Sequence, residues 1–97
     1  MPIEKYSLEE VEKAEELLKI AENAFNQSGS NADRENYERL LNTFEKILMR
    51  HRIISEIKAY QYRNDDKSKE YFEEIHNSLE EKYTNYFGVT DILKARR

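Results

Sequence analysis

Two histidines and the carboxylates around them are the side chains best suited to chemistry in this chain of 97 residues. Glu73 and His76 lie three residues apart, so on a helix they share one face, as in the Glu-x-x-His pairs that hold metal in di-iron helical bundles. That architecture needs two such pairs and two further glutamates. This chain supplies one pair, so only a symmetric dimer would complete the set. We therefore favour a chance match and predict no metal site and no cofactor.

No other set of residues predicts catalysis. His51 follows Phe44 and Leu48 at helical spacing, and an imidazole in such apolar surroundings is more often a buried, hydrogen-bonded core residue than a ligand. The chain has no cysteine, and its two glycines, Gly29 and Gly88, are too far apart to form a phosphate-binding loop. We expect a protein without catalytic residues, hence not an enzyme.

The distribution of glycine and proline predicts helices. Between Gly29 and Gly88 there is neither residue, which is typical of helical proteins. The apolar spacing predicts an all-α fold with helix 1 at about 7–27, helix 2 at about 32–63, helix 3 at about 67–87 and a short turn at about 91–96. We expect one domain over residues 1–97, an antiparallel three-helix bundle with a long central helix and a short C-terminal helical turn.

Charge is distributed along the chain in a way that favours this topology. Residues 46–63 carry five bases and one acid, whereas residues 1–30 and 64–86 each carry seven acids and three bases. Short links would bring the basic segment alongside both acidic ones. The alternative is that the polar break at residues 64–68 fails and helices 2 and 3 fuse into one rod of roughly 80 Å, forming a coiled coil.

The apolar residues of helix 2 change face halfway along it. In the first half they fall within a sector of about 120°. These residues are Tyr37, Leu40, Leu41, Phe44, Ile47, Leu48 and His51. Beyond them, Ile54, Ile57 and Tyr60 follow at steps of three residues, each about 60° short of a full turn, and Ile53 joins them on the side that faces solvent in the first half.

This change of face predicts a second contact surface. The helix contains no glycine or proline that would kink it, so we expect its second half to contact something that its first half does not touch. Tyrosine and arginine are favoured in protein interfaces. The predicted partner-binding residues are Arg50, Arg52, Ile53, Ile57 and Tyr60.

These observations leave three classes of function. We expect a non-enzymatic protein–protein interaction module, such as a small regulator, adaptor or inhibitor, that binds another copy of itself through the C-terminal half of helix 2. The alternative is a nucleic-acid-associated regulator, although the net charge of -4 and pI of about 5.3 argue against it. Its basic residues would be Arg50, Arg52, Lys58, Arg63, Lys94, Arg96 and Arg97. The third class is a metal-dependent bundle built on Glu73 and His76.

The sequence also bears on location. It has no apolar run near the roughly 18 residues of a membrane span, and its first residues lack the apolar segment of a secretory signal. We therefore expect a cytoplasmic protein that does not bind membranes.

Overall fold

The computed structural model of this chain describes residues 5–88. They form three helices, α1 (Glu9–Ser28), α2 (Asn31–Gln61) and α3 (Asp66–Phe87), and no strand lies in that range. The all-α prediction with a long central helix is confirmed, and α2 and α3 are separate helices rather than one rod. The predicted turn at 91–96 falls outside the described residues. The arrangement of the three helices as one antiparallel bundle stays a prediction.

The described chain divides into two compact units, and α2 runs through both. The front unit comprises residues 5–49, with α1 and the first part of α2; the rear unit comprises residues 50–88, with the second part of α2 and α3. Each unit pairs two stretches of helix joined by a short link. The prediction of one domain over residues 1–97 stays a prediction.

The front unit has an apolar core drawn from both of its helices. Val11, Leu18 and Ala21 are the buried residues of α1, and their spacing of seven and three residues places them on one helix face. Phe44 and Leu48 of α2 are fully buried. Both helices of the front unit therefore contribute large apolar side chains to its core.

The link of the front unit is made by a left-handed glycine and a serine cap. Gly29 has φ 62° and ψ 12°, and its N–H donates to the carbonyl of Phe25 at 2.7 Å, which is a left-handed helix end. Ser30 precedes α2, and its Oγ accepts from the N–H of Asp33 at 3.2 Å. Ser28 Oγ donates to the Asp33 carboxylate. These bonds end one helix and begin the next within two residues.

The core of the rear unit draws its apolar residues from α3. Phe72, Leu79 and Tyr83 are buried on this helix, at the spacing of seven and four residues that forms one face. The buried residues of α2 in this unit are His51 and Ser55, both polar. The rear core therefore joins an apolar helix face to a polar one.

The link between α2 and α3 is closed by backbone and side-chain hydrogen bonds. The Asp65 N–H donates to the Tyr62 carbonyl at 2.9 Å, and the buried Ser68 hydroxyl donates to Asp65 Oδ2 at 2.9 Å. The rings of Tyr62 and Phe72 are stacked, with centroids 5.6 Å apart. The polar run at residues 64–68 thus contains a defined helix boundary.

We expect Gly29→Ala to lower the free energy of unfolding by about 1 kcal/mol, because a Cβ is disfavoured at positive φ. A Cβ at this position meets nothing within 4 Å, so the cost arises from the backbone alone. Gly29→Asn is the control and should cost less, since asparagine tolerates this conformation. Urea unfolding followed by circular dichroism measures both, and equal stability of all three proteins would contradict the expectation.

Candidate functional site

Three large apolar side chains lie exposed on one face of α2 in the rear unit. Ile53 is 54%, Ile57 51% and Tyr60 67% exposed. Their spacing of four and three residues places them within a sector of about 60°. We call Ile53, Ile57 and Tyr60 the apolar stripe. These three predicted partner-binding residues are thus together and accessible within the described chain.

The opposite face of α2 explains why α3 leaves the stripe uncovered. Ser55 lies about 160° around the helix from Ile57 and is fully buried. Its hydroxyl donates to the Arg52 carbonyl at 2.8 Å and lies 3.3 Å from His76 Nδ1 of α3. Because a buried hydroxyl without a partner is costly, these contacts favour α3 on the polar side of the helix.

Arg52 belongs to this polar side rather than to the stripe. Its side chain is only 15% exposed, and Nη2 lies 3.3 Å from Glu80 Oε1. The guanidinium carbon is 4.9 Å from the ring centroid of Tyr83, within the range of a cation–π contact. Arg52 Nε is buried without a hydrogen-bond partner. This residue, which the sequence placed in the partner-binding set, instead contacts α3 within its own chain.

His76 completes a polar cluster, which we define as Arg52, Ser55, His76 and Glu80. Its Nδ1 lies 3.1 Å from the Arg52 carbonyl, and its Nε2 lies 3.2 Å from Glu80 Oε1. The imidazole therefore connects the backbone of α2 to a carboxylate of α3.

The Glu-x-x-His spacing has no corresponding site in the described residues. Glu73 is exposed, and His76 pairs with Glu80, one turn in the other direction. Within residues 5–88, no group of three or more histidine, aspartate or glutamate side chains is placed to hold a metal ion. The prediction that His51 is a buried core residue is confirmed.

Two arginines, Arg50 and Arg63, flank the stripe. Arg63 was not among the predicted partner-binding residues. The Arg63 guanidinium lies 4.3 Å from the ring centroid of Tyr60, and its Nη1 donates to the Tyr60 carbonyl at 3.0 Å. The i, i+3 spacing is the signal that would have identified this pair. Arg50 is exposed and lies about 20° around the helix from Ile57, two turns before it. Basic groups therefore border the stripe at both ends.

The front unit also exposes large apolar side chains: Leu17 and Ile20 on α1, and Met49, 41% exposed, at the end of its part of α2. Leu17 is more than half exposed and Ile20 is 60% exposed on α1. Ile20 lies about 180° around α1 from the buried Val11. Ile20 provides a comparison with the stripe residues, because its exposure is similar to theirs.

Comparisons with known proteins assign this chain to no family. No family model matches it, and neither the search of curated proteins nor that of solved structures finds a match. Among the helices of residues 5–88, none combines the length and apolar character needed to cross a membrane. The functional argument therefore depends on the residues themselves.

We expect Glu80→Ala to lower the free energy of unfolding by about 1 to 2 kcal/mol, because it leaves the largely buried guanidinium of Arg52 without its carboxylate acceptor. Glu81→Ala removes an exposed carboxylate from the adjacent position, and we expect a change within about 0.5 kcal/mol. Thermal unfolding of the two variants side by side measures the difference. Equal losses would show that the cluster contributes nothing specific.

Proposed function

We propose that this chain is a non-enzymatic protein–protein interaction module, a small regulator, adaptor or inhibitor, that self-associates through the second half of α2. One observation carries the proposal: the rear unit leaves Ile53, Ile57 and Tyr60 more than half exposed on a single face. Contiguous exposed apolar side chains bordered by polar groups are characteristic of interaction surfaces.

The composition of this surface supports a protein partner. Tyrosine and arginine are enriched among the residues that dominate binding energy, and Tyr60 is held in place by the Arg63 guanidinium above its ring. A ring whose orientation is already fixed loses less conformational freedom on binding. These features favour binding of the stripe to an apolar surface of a partner protein.

We take the partner to be a second copy of the same chain. The stripe is apolar along its length, so two stripes are complementary to each other without any other molecule. A chain of 97 residues buries a modest fraction of its surface, and association adds to its stability by mass action.

The expected dimer is weak. Covering a large apolar side chain contributes about 1.5 to 3 kcal/mol when it is fully exposed beforehand. The stripe residues are about half exposed, so covering three of them in each copy contributes about 6 kcal/mol in total. The loss of translational and rotational freedom costs about 4 kcal/mol or more. Because these terms are similar in size, the dimer should depend on concentration and on the polar groups around the stripe.

The nucleic-acid alternative has less support from the described residues. Arg52 is paired with Glu80, and the Arg63 guanidinium lies over the ring of Tyr60, so two of the basic side chains named for this alternative are engaged within the chain. Lys94, Arg96 and Arg97 lie outside the described residues. Binding to a mixed-sequence DNA duplex at about 50 and 200 mM salt tests this alternative, since phosphate contacts weaken steeply with salt.

We expect Ile57→Asp to abolish self-association and leave helical content unchanged, because a carboxylate would have to be desolvated at the centre of the stripe. Sedimentation equilibrium at about 10 µM to 1 mM measures the mass, in a range suited to a weak dimer. Ile20→Asp is the matched control, since it makes the same change at a similarly exposed residue of α1.

The outcomes separate the possibilities. Dimerisation of the native chain and of Ile20→Asp, together with a monomeric Ile57→Asp, supports the proposal. A native chain that stays monomeric throughout the concentration range would exclude self-association. A dimer that both substitutions leave intact would place the interface elsewhere.

A further inference from the structure

The link between α2 and α3 contains an arginine that contacts the stripe from outside it. Arg63 lies beyond the last residue of α2, and its guanidinium lies over the ring of Tyr60. We infer that Arg63 is a positioning residue for the proposed self-association, on which this step rests. It orders the Tyr60 ring for a second copy and does not itself contact that copy.

Two donors of Arg63 share one acceptor on α2. The backbone N–H of Arg63 donates to the Tyr60 carbonyl at 3.2 Å, and Nη1 donates to the same oxygen at 3.0 Å. This carbonyl belongs to the last turn of the helix, where carbonyl oxygens have no partner within the helix and a positive charge is favourable. The guanidinium is therefore held on its own chain, beside the residue whose ring it covers.

The link also fixes the backbone from which the Arg63 side chain extends. The Asp65 N–H donates to the Tyr62 carbonyl at 2.9 Å, and the buried Ser68 hydroxyl of α3 donates to Asp65 Oδ2. The Tyr62 ring stacks on Phe72, which is fully buried on α3. The residues on both sides of Arg63 are thus bonded within the rear unit, so the position of Arg63 does not depend on a second copy.

The contact with Arg63 leaves most of Tyr60 accessible. The guanidinium carbon lies 4.3 Å from the ring centroid, within the range of a cation–π contact, and Tyr60 is still 67% exposed. A side chain that rotates freely loses conformational freedom when a partner immobilises it. Because Arg63 restricts the ring before association, this loss is smaller in each copy. The effect of Arg63 on association should therefore depend on the presence of the ring.

A double-mutant cycle tests whether Arg63 acts through Tyr60. We expect Arg63→Gln to raise the dissociation constant of the dimer about fivefold, because the cost of ordering the ring rises in both copies. Tyr60→Leu keeps an apolar side chain in the stripe but has no aromatic face. In that background, Arg63→Gln should change the dissociation constant by less than about twofold. Sedimentation equilibrium of the native chain, the two single variants and the double variant gives the four constants.

Arg39→Gln is the matched control for the loss of charge. Arg39 is also exposed, and its Nη2 donates to Asn36 three residues before it at 2.7 Å. This substitution should leave the dissociation constant unchanged. Circular dichroism should show native helical content for both arginine variants, since the backbone N–H of residue 63 still reaches the Tyr60 carbonyl in Arg63→Gln.

The monomeric Ile57→Asp variant gives a measurement that does not involve association. In that background, Arg63→Gln should increase the fast motion of the Tyr60 ring, measured by NMR relaxation of its ring carbons, whereas Arg39→Gln should not. Unchanged ring motion in the Arg63→Gln variant would overturn the inference.

The outcomes of the cycle distinguish this inference from the proposed function. Equal losses from Arg63→Gln with and without the Tyr60 ring would mean that Arg63 contacts the second copy directly. No loss in either background would mean that the ring needs no support from Arg63. Each result would overturn the inference and leave the proposed self-association intact. A native chain that stays monomeric at every concentration would instead remove the proposed function itself.

Discussion

The contact between Ser55 and α3 determines the rest of the rear unit. A fully buried hydroxyl requires hydrogen-bond partners, and here it has the Arg52 carbonyl of its own helix and the imidazole of His76 on the next one. Glu80 then joins His76 to the Arg52 side chain. With its polar face turned to α3, the second half of α2 has its apolar face left for solvent or for another molecule.

The helix α2 therefore contributes apolar residues to one core and polar residues to the other. In the front unit α2 buries Phe44 and Leu48, whereas in the rear unit it buries His51 and Ser55. The buried apolar residues of the rear core come from α3 and include Phe72 and Leu79, and the Phe72 ring stacks on Tyr62. A polar cluster with several members has more geometric requirements than an apolar contact, so it specifies the position of α3 more narrowly than hydrophobic burial alone would do.

This arrangement connects stability to the proposed function. An α3 that packed on Ile53 and Ile57 would bury more apolar surface and would leave no stripe. The polar cluster lies between α3 and the face of α2 opposite the stripe, and Arg52 belongs to this cluster. Arg63 acts at the other end of the same surface, since it fixes the ring of Tyr60 from the solvent side.

Much of the local structure follows from the sequence alone. The absence of glycine and proline between Gly29 and Gly88 determines that the chain is helical, and the apolar spacing locates three helices, the buried His51 and the stripe that departs from the front core. Helical spacing reveals which residues share a face because every residue advances by about 100°. It does not reveal which face a neighbouring helix will cover. Only the tertiary structure decided that α3 lies on Ser55, that Arg52 turns inward to Glu80, and that His76 bonds across to α2 instead of pairing with Glu73, because these outcomes depend on contacts between side chains more than 20 residues apart.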